Sequence, residues 1–350
     1  MSLTLLKRHI VVCLMIVAYQ TTDSLAITAS EKEATKWALI ICGIPGDSDH
    51  HTEFSQTIES LHTSLKDQLG FPAENIRIQF GAPPNEEDGP AVQAADGTAT
   101  RTELTKQVAE LRKQIQPSDT LWVIVMGHAH FDGQQSYLNL PGAADGQSDL
   151  HAADFADLFR GLDAKQQLFF IGTPVSGFFV RGLSAEGRIV ITATEADREV
   201  NATLFPAAFA ETLAAPPAKS ELDVDGNDQF SVFDLYIAVT RNVARRYLAE
   251  SLLATEHAQL DDNGDGRSAE LQLDYLSEEE GGRQRDGAKP PTIRQNSDGF
   301  IAQRTLVTAD FPTPALTDKE SSDELASGED VTPVQKTEPD ADAESDPTEP

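Results

Sequence analysis

Apolar residues in this chain fall into short unbroken runs separated by amphipathic stretches. Residues 121–126 (LWVIVM) form the clearest run, and they stop abruptly at Gly127-His128. A continuous apolar run closed by glycine predicts a strand buried on both faces, as in a parallel sheet. Residues 37–44, 167–172 and 188–194 repeat the pattern, and residues 75–80 alternate polar with apolar. Between these runs, residues 50–69 have helical spacing, with Phe54, Ile58, Leu61 and Leu65 on one face. Thr100, with Glu103 three residues later, reads as a capping box opening a helix that ends near Pro117. Residues 149–162 and 202–214 predict further helices, and the Gly-, Pro- and acid-rich stretch 81–99 predicts a surface loop. Strand and helix thus alternate five times. This pattern predicts an α/β fold with a mostly parallel sheet, helices on both faces and right-handed crossovers.

The ends of the chain read differently. Lys7, Arg8 and His9 precede ten mainly apolar residues and the small-x-small sequence Ser24-Leu25-Ala26. That is the form of a signal peptide over residues 1–26, too short in its apolar part to span a bilayer. It predicts export, to a periplasm or beyond. Residues 30–215 hold the α/β pattern. Residues 216–276 combine acidic loops with a long helical stretch, expected to pack on that domain. Residues 277–350 are polar and acidic, and are expected to be largely disordered because so few apolar residues cannot offset ordering entropy.

The formal net charge of −30 argues against nucleic acid or anionic lipid as partners. No stretch after the signal is long and apolar enough to cross a membrane. Of the two cysteines, Cys13 lies in the signal, so a mature chain keeps Cys42 alone and forms no internal disulfide. Cys42 sits in the apolar run WALIICGI, where a thiol is expected to be inert.

In open α/β sheets, ligands bind at the carboxyl ends of the strands. His128 falls at such an end. The strand predicted at 167–172 ends in Thr173-Pro174-Val175-Ser176-Gly177. Together these resemble the caspase and legumain-like superfamily of cysteine peptidases, whose pattern is one strand ending in Gly-His-Gly and a later one ending in Asp-x-Cys-x-Ser-Gly. Gly127 and His128 match the first motif, with Ala129 at its second glycine, and Ser176-Gly177 matches the end of the second. The cysteine position is occupied by Pro174 and the aspartate position by Gly172. The stretches LGFPAENIRI, LNLPGAAD, GRIVITATEADRE and LLATEHAQLDDNGDG resemble a subgroup of exported bacterial caspase-like chains of the planctomycete type, over roughly residues 37–266. The resemblance implies a caspase-like three-layer sandwich and a set of pseudo-peptidases whose cysteine position is commonly replaced. Proline supplies neither a nucleophile nor a backbone N–H for an oxyanion. Loss of a nucleophile typically forfeits a factor on the order of 10⁶ in rate.

Two alternatives stand beside an inactive peptidase. Ser176 could serve as nucleophile with His128, although Val175-Ser176-Gly177 lacks the Gly-x-Ser-x-Gly elbow. His128, His130 and Asp132 could also bind a metal.

The acidic loops carry a separate signal. Asp223, Asp225, Asn227, Ser231 and Asp234 place oxygens at positions 1, 3, 5, 9 and 12 of an EF-hand-like loop, with the Gln229 carbonyl at position 7. Asp228 replaces the usual glycine at position 6, and Asp234 the usual glutamate at 12. Asp261, Asn263 and Asp265 begin a second, partial copy, with Ala269 and Gln272 where later ligands would fall. Both loops point to Ca²⁺. The function expected is a calcium-binding interaction protein with a peptide or protein ligand, or else a calcium-braced scaffold that makes no use of the crevice.

Overall fold

The computed structural model describes residues 34–142, 149–196, 199–285 and 287–312. The signal segment and residues 313–350 of the expected tail lie outside the described residues.

In chain order the elements are β1 (Lys36–Cys42), α1 (Ser48–Asp67), β2 (Ile76–Phe80), α2 (Pro90–Gln93), β3 (Gly97–Thr98), α3 (Arg101–Gln114) and β4 (Thr120–Met126). A small antiparallel sheet follows, of β5 (Ala129–Phe131), β6 (Ser136–Leu138) and β7 (Leu150–His151), leading into α4 (Ala152–Leu158). Then come β8 (Gln166–Ile171), α5 (Val180–Leu183), β9 (Arg188–Thr192), α6 (Phe205–Ala214) and α7 (Lys219–Leu222). The chain continues with β10 (Phe230–Ser231), α8 (Val232–Ala249), β11 (Gln259–Asp261) and β12 (Leu306–Thr308).

Seven strands form one sheet in the order β11-β9-β8-β4-β1-β2-β3. Its pairs are parallel except β11 against β9. Side chains alternate across a strand, and both faces here are buried. Ala38, Ile40, Trp122, Ile124, Leu168 and Phe170 pack on one side with α1, α6 and α8. Leu39, Ile41, Leu121, Val123, Phe169 and Ile171 pack on the other with α3, α4 and α5. The sheet is thus the middle of three layers, which is why its central strands read as unbroken apolar runs. Among the described residues no helix is long and apolar enough to cross a membrane.

Two expectations change. The stretch 81–99 is not all loop: α2 forms there, and β3 adds an edge to the sheet. Residues 277–312, expected to belong to a disordered tail, are folded onto the domain wherever they are described. Ala302 and Val307 are buried in the first core, and β12 pairs with β10. The physical reason is polar rather than apolar. Buried Asp262 accepts the backbone N–H groups of Gly299, Ile301 and Ala302 at 2.7–3.0 Å, so a polar segment is ordered through its own backbone donors.

Candidate functional site

Strands β4 and β8 run side by side in register, Val125 opposite Ile171, and Gly172 N–H donates to Val125 O at 2.8 Å. Their carboxyl ends therefore share one edge of the sheet. Gly127 turns the chain there at φ +116°, and a Cβ on it would lie 2.8 Å from the Gly43 nitrogen. Only glycine meets both demands. His128 emerges next, half-buried. Its Nε2 donates to Pro45 O at 2.7 Å. His50 packs edge-on at 4.6 Å between centroids, and Phe54 at 6.0 Å.

The end of β8 carries a proline where the resemblance expects the cysteine. Pro174 is buried, and Val175 follows in the left-handed region at φ 47°, with its N–H held by Glu199 O at 3.0 Å. A β-branched residue at such a φ is strained. Ser176 is fully buried, and its Oγ accepts Thr194 N–H at 3.1 Å and shares a hydrogen bond with Thr194 Oγ1 at 3.0 Å. Thr194 Oγ1 also accepts the Ser176 N–H at 2.7 Å. The expectation of Ser176 as an alternative nucleophile with His128 is corrected here: the hydroxyl is a buried cross-link between two loops, with no access for substrate. Cys42, at the end of β1, is buried too, and desolvation holds its thiol well above the usual range, which keeps it protonated. His130 and Asp132 take structural parts, His130 against Asn139 Oδ1 at 2.6 Å and Asp132 accepting from Gln134 and Gln135 N–H at 2.8 Å.

The first acidic loop closes on itself. Carboxylate oxygens of Asp223, Asp225 and Asp234 lie within 4.8 Å of one another, a cluster that could hold a metal ion. Asp223 and Asp225 both accept Asn227 N–H, and Asn227 Oδ1 accepts Gln229 N–H at 2.7 Å. Asp228 sits at φ 60°, so this aspartate adopts the left-handed turn that position 6 requires. Ser231 and Asp234 form the capping box of α8, and Asp234 also accepts Val224 N–H at 3.0 Å. Burial pushes the Asp234 carboxyl up to about 6, and burial with the Asp223 charge raises Asp225 as well. Clustered oxygen donors of this kind suit a hard cation, and Asp223, Asp225 and Asp234 lie close enough together to hold one. Ser231, engaged in its cap, fits the water-bridged position 9.

The second loop departs from its expected course. Asp261 Oδ1 accepts Gly264 N–H at 3.2 Å, Asn263 Oδ1 accepts Asp265 N–H at 2.9 Å, and Asp265 Oδ1 accepts Arg267 N–H at 2.9 Å. Only a single 3-10 turn, Leu271–Asp274, follows in place of an α-helix. Ala269 instead pairs back to Leu260, and Gln272, at position 12, is buried against the Tyr236 hydroxyl.

No protein-family model matches the chain, and no curated protein matches it.

Beyond the expected residues, a cluster lies past the end of β9. Glu195 hydrogen-bonds Glu270, and this with burial pushes its carboxyl up to about 7. Glu199 pairs with His257 and lowers its own range while raising that of the imidazole. Glu256 is only 8 % exposed and borders a cavity of about 110 Å³ with His257 and Phe205. These acids form no local motif, because Glu270 lies 75 residues from Glu195 and His257 lies 58 residues from Glu199. The one signal was indirect: Glu195, Glu199, Glu256 and His257 fall in two of the stretches that carry the family resemblance.

Proposed function

We propose that this chain is an exported, caspase-like pseudo-peptidase: a binding protein on a peptidase-type scaffold, with calcium in its first acidic loop. One observation carries the reading. Two adjacent strands end side by side, with an imidazole at one end and a buried, inert proline at the other. The histidine is held by Pro45 O rather than paired with a nucleophile. Such an edge retains shape and a hydrogen-bonding imidazole, so it suits capture of a peptide or protein segment without cleavage. The three-layer sheet and the position of Pro174 after β8 fit the caspase-like resemblance. The clustered carboxylates of Asp223, Asp225 and Asp234 support a hard divalent cation, which would neutralise the loop and brace the start of α8. Export follows from the signal-like N-terminus.

The test is turnover of a fluorogenic peptide library by the purified chain. No cleavage above the buffer rate is expected, in wild type and in His128→Ala alike. Turnover in wild type that disappears in His128→Ala would overturn the proposal.

A further inference from the structure

We propose that the cavity beyond the carboxyl end of β9 is a binding pocket for a small aliphatic amine, with Glu256 as the carboxylate that meets its ammonium group. The cavity measures about 110 Å³. Ala193, the residue after β9, lines it, so it lies where parallel sheets hold their ligands. Its other walls are mainly apolar: Phe205 from α6, Val243 and Ala244 from α8, and Leu276. An ordered water needs about two to four polar partners, so such walls suit a hydrocarbon body better than water. An apolar cavity of about 150 Å³ holds a benzene-sized molecule, and the smaller space here fits roughly four or five carbon atoms.

The polar side of the pocket decides the charge of its ligand. Glu256 borders the cavity and is 8 % exposed. Its oxygens accept from Leu204 N–H, Phe205 N–H and the Tyr247 hydroxyl, three donors without charge. The other charged groups at the cavity have partners of opposite sign: His257 pairs with Glu199, and Glu280 with Arg241 and Arg245. Glu199 acts on Glu256 as a repelling charge. Burial, before that repulsion, pushes the Glu256 carboxyl up to about 7, as expected of an anion held without a counter-charge. A carboxylate ligand is repelled here, and a neutral one leaves the buried charge unanswered. An ammonium group answers it through a charge-assisted hydrogen bond, while its hydrocarbon body fills the apolar space. The pocket shares no lining residue with the His128 edge or the first acidic loop, so the inference stands apart from the proposed function.

The experiment is calorimetric titration of the full chain with isoamylamine at physiological salt, which screens loose attraction to the acidic surface. Isoamyl alcohol and isovalerate, of the same shape but neutral and anionic, are titrated beside it. Wild type is expected to bind the amine saturably, about tenfold or more tighter than the alcohol, and not to bind isovalerate. Glu256→Gln should bind amine and alcohol alike. Ala244→Leu fills the cavity from α8 and should bind neither, while melting at or above wild type. Equal affinity for amine and alcohol in wild type overturns the inference, as does an amine preference kept in Glu256→Gln. Amine binding unchanged in Ala244→Leu would place the amine outside the cavity and overturns it too. If Glu256→Gln fails to fold, the wild-type comparison and Ala244→Leu decide.

Discussion

Ser176 shows how far a residue can be judged from its neighbours in sequence. Its position after Pro174 was legible, and so was its match to a family serine. Its burial was not, because that depends on Thr194, 18 residues later and just past the end of β9. The hydroxyl satisfies one backbone N–H and one side-chain hydroxyl in a site without water access. Ser176→Ala should therefore cost about 1–3 kcal/mol of stability, through the Thr194 N–H left unpaired. It should leave peptide turnover and labelling by a serine-reactive phosphonate at the same baseline. Urea unfolding checks the first part; phosphonate labelling of wild type lost in the variant would restore Ser176 as a nucleophile. Asp228 carries a related lesson. By residue type it weakened the first loop, since glycine is usual there. Yet aspartate is among the few residues that adopt φ near +60° readily.

At the scale of elements, the central strands were legible because each alternates between two apolar layers and so has no polar face to break its run. The edges were not. Strand β11 is three residues that end on the first residue of a segment that reads as a cation loop, and β3 is two residues inside a loop composition. Helix α6 adds a third case. Its preceding residue, Leu204, caps nothing, and the cap comes from Glu256, which accepts Leu204 N–H at 2.6 Å, Phe205 N–H at 3.2 Å and the Tyr247 hydroxyl at 2.9 Å. Burial pushes that carboxyl up to about 7, against about 4.3 in an unfolded chain. The folded state thus binds a proton that the unfolded state releases. The stabilising contribution is complete below about pH 4 and is lost as pH rises through about 7, a change on the order of 3 kcal/mol. Glu256→Gln cannot titrate. Its stability relative to wild type should therefore improve between pH 5 and 8 in chelator, measured by thermal melts. Parallel pH profiles for the two proteins would show that Glu256 keeps an ordinary carboxyl.

For the whole molecule, the composition of residues 277–312 pointed to disorder, and the structure uses those residues to close the domain. The signal was weak because the apolar anchors are few: Ala302 and Val307 in the core, and Phe311 against Phe230 at 5.8 Å between centroids. The remaining order comes from main-chain and polar contacts that no hydropathy pattern reports. Gln166 reaches Thr305 Oγ1 at 2.6 Å, Lys36 reaches Val307 O at 3.4 Å, and Asp262 holds three backbone N–H groups. Ending the chain after Asp298 removes all of these together. Exposing Val307 and its apolar neighbours forfeits about 1.5–3 kcal/mol per large side chain. Asp262 would also be left as a buried carboxylate without donors, at a cost of about 3 kcal/mol or more. The sum is on the order of the 5–15 kcal/mol that holds a typical domain together. The shortened chain is therefore expected to lose cooperative melting, or to melt well below the full chain, in circular dichroism. A melting temperature within a few degrees of the full chain would mean that residues 299–312 merely rest on the domain.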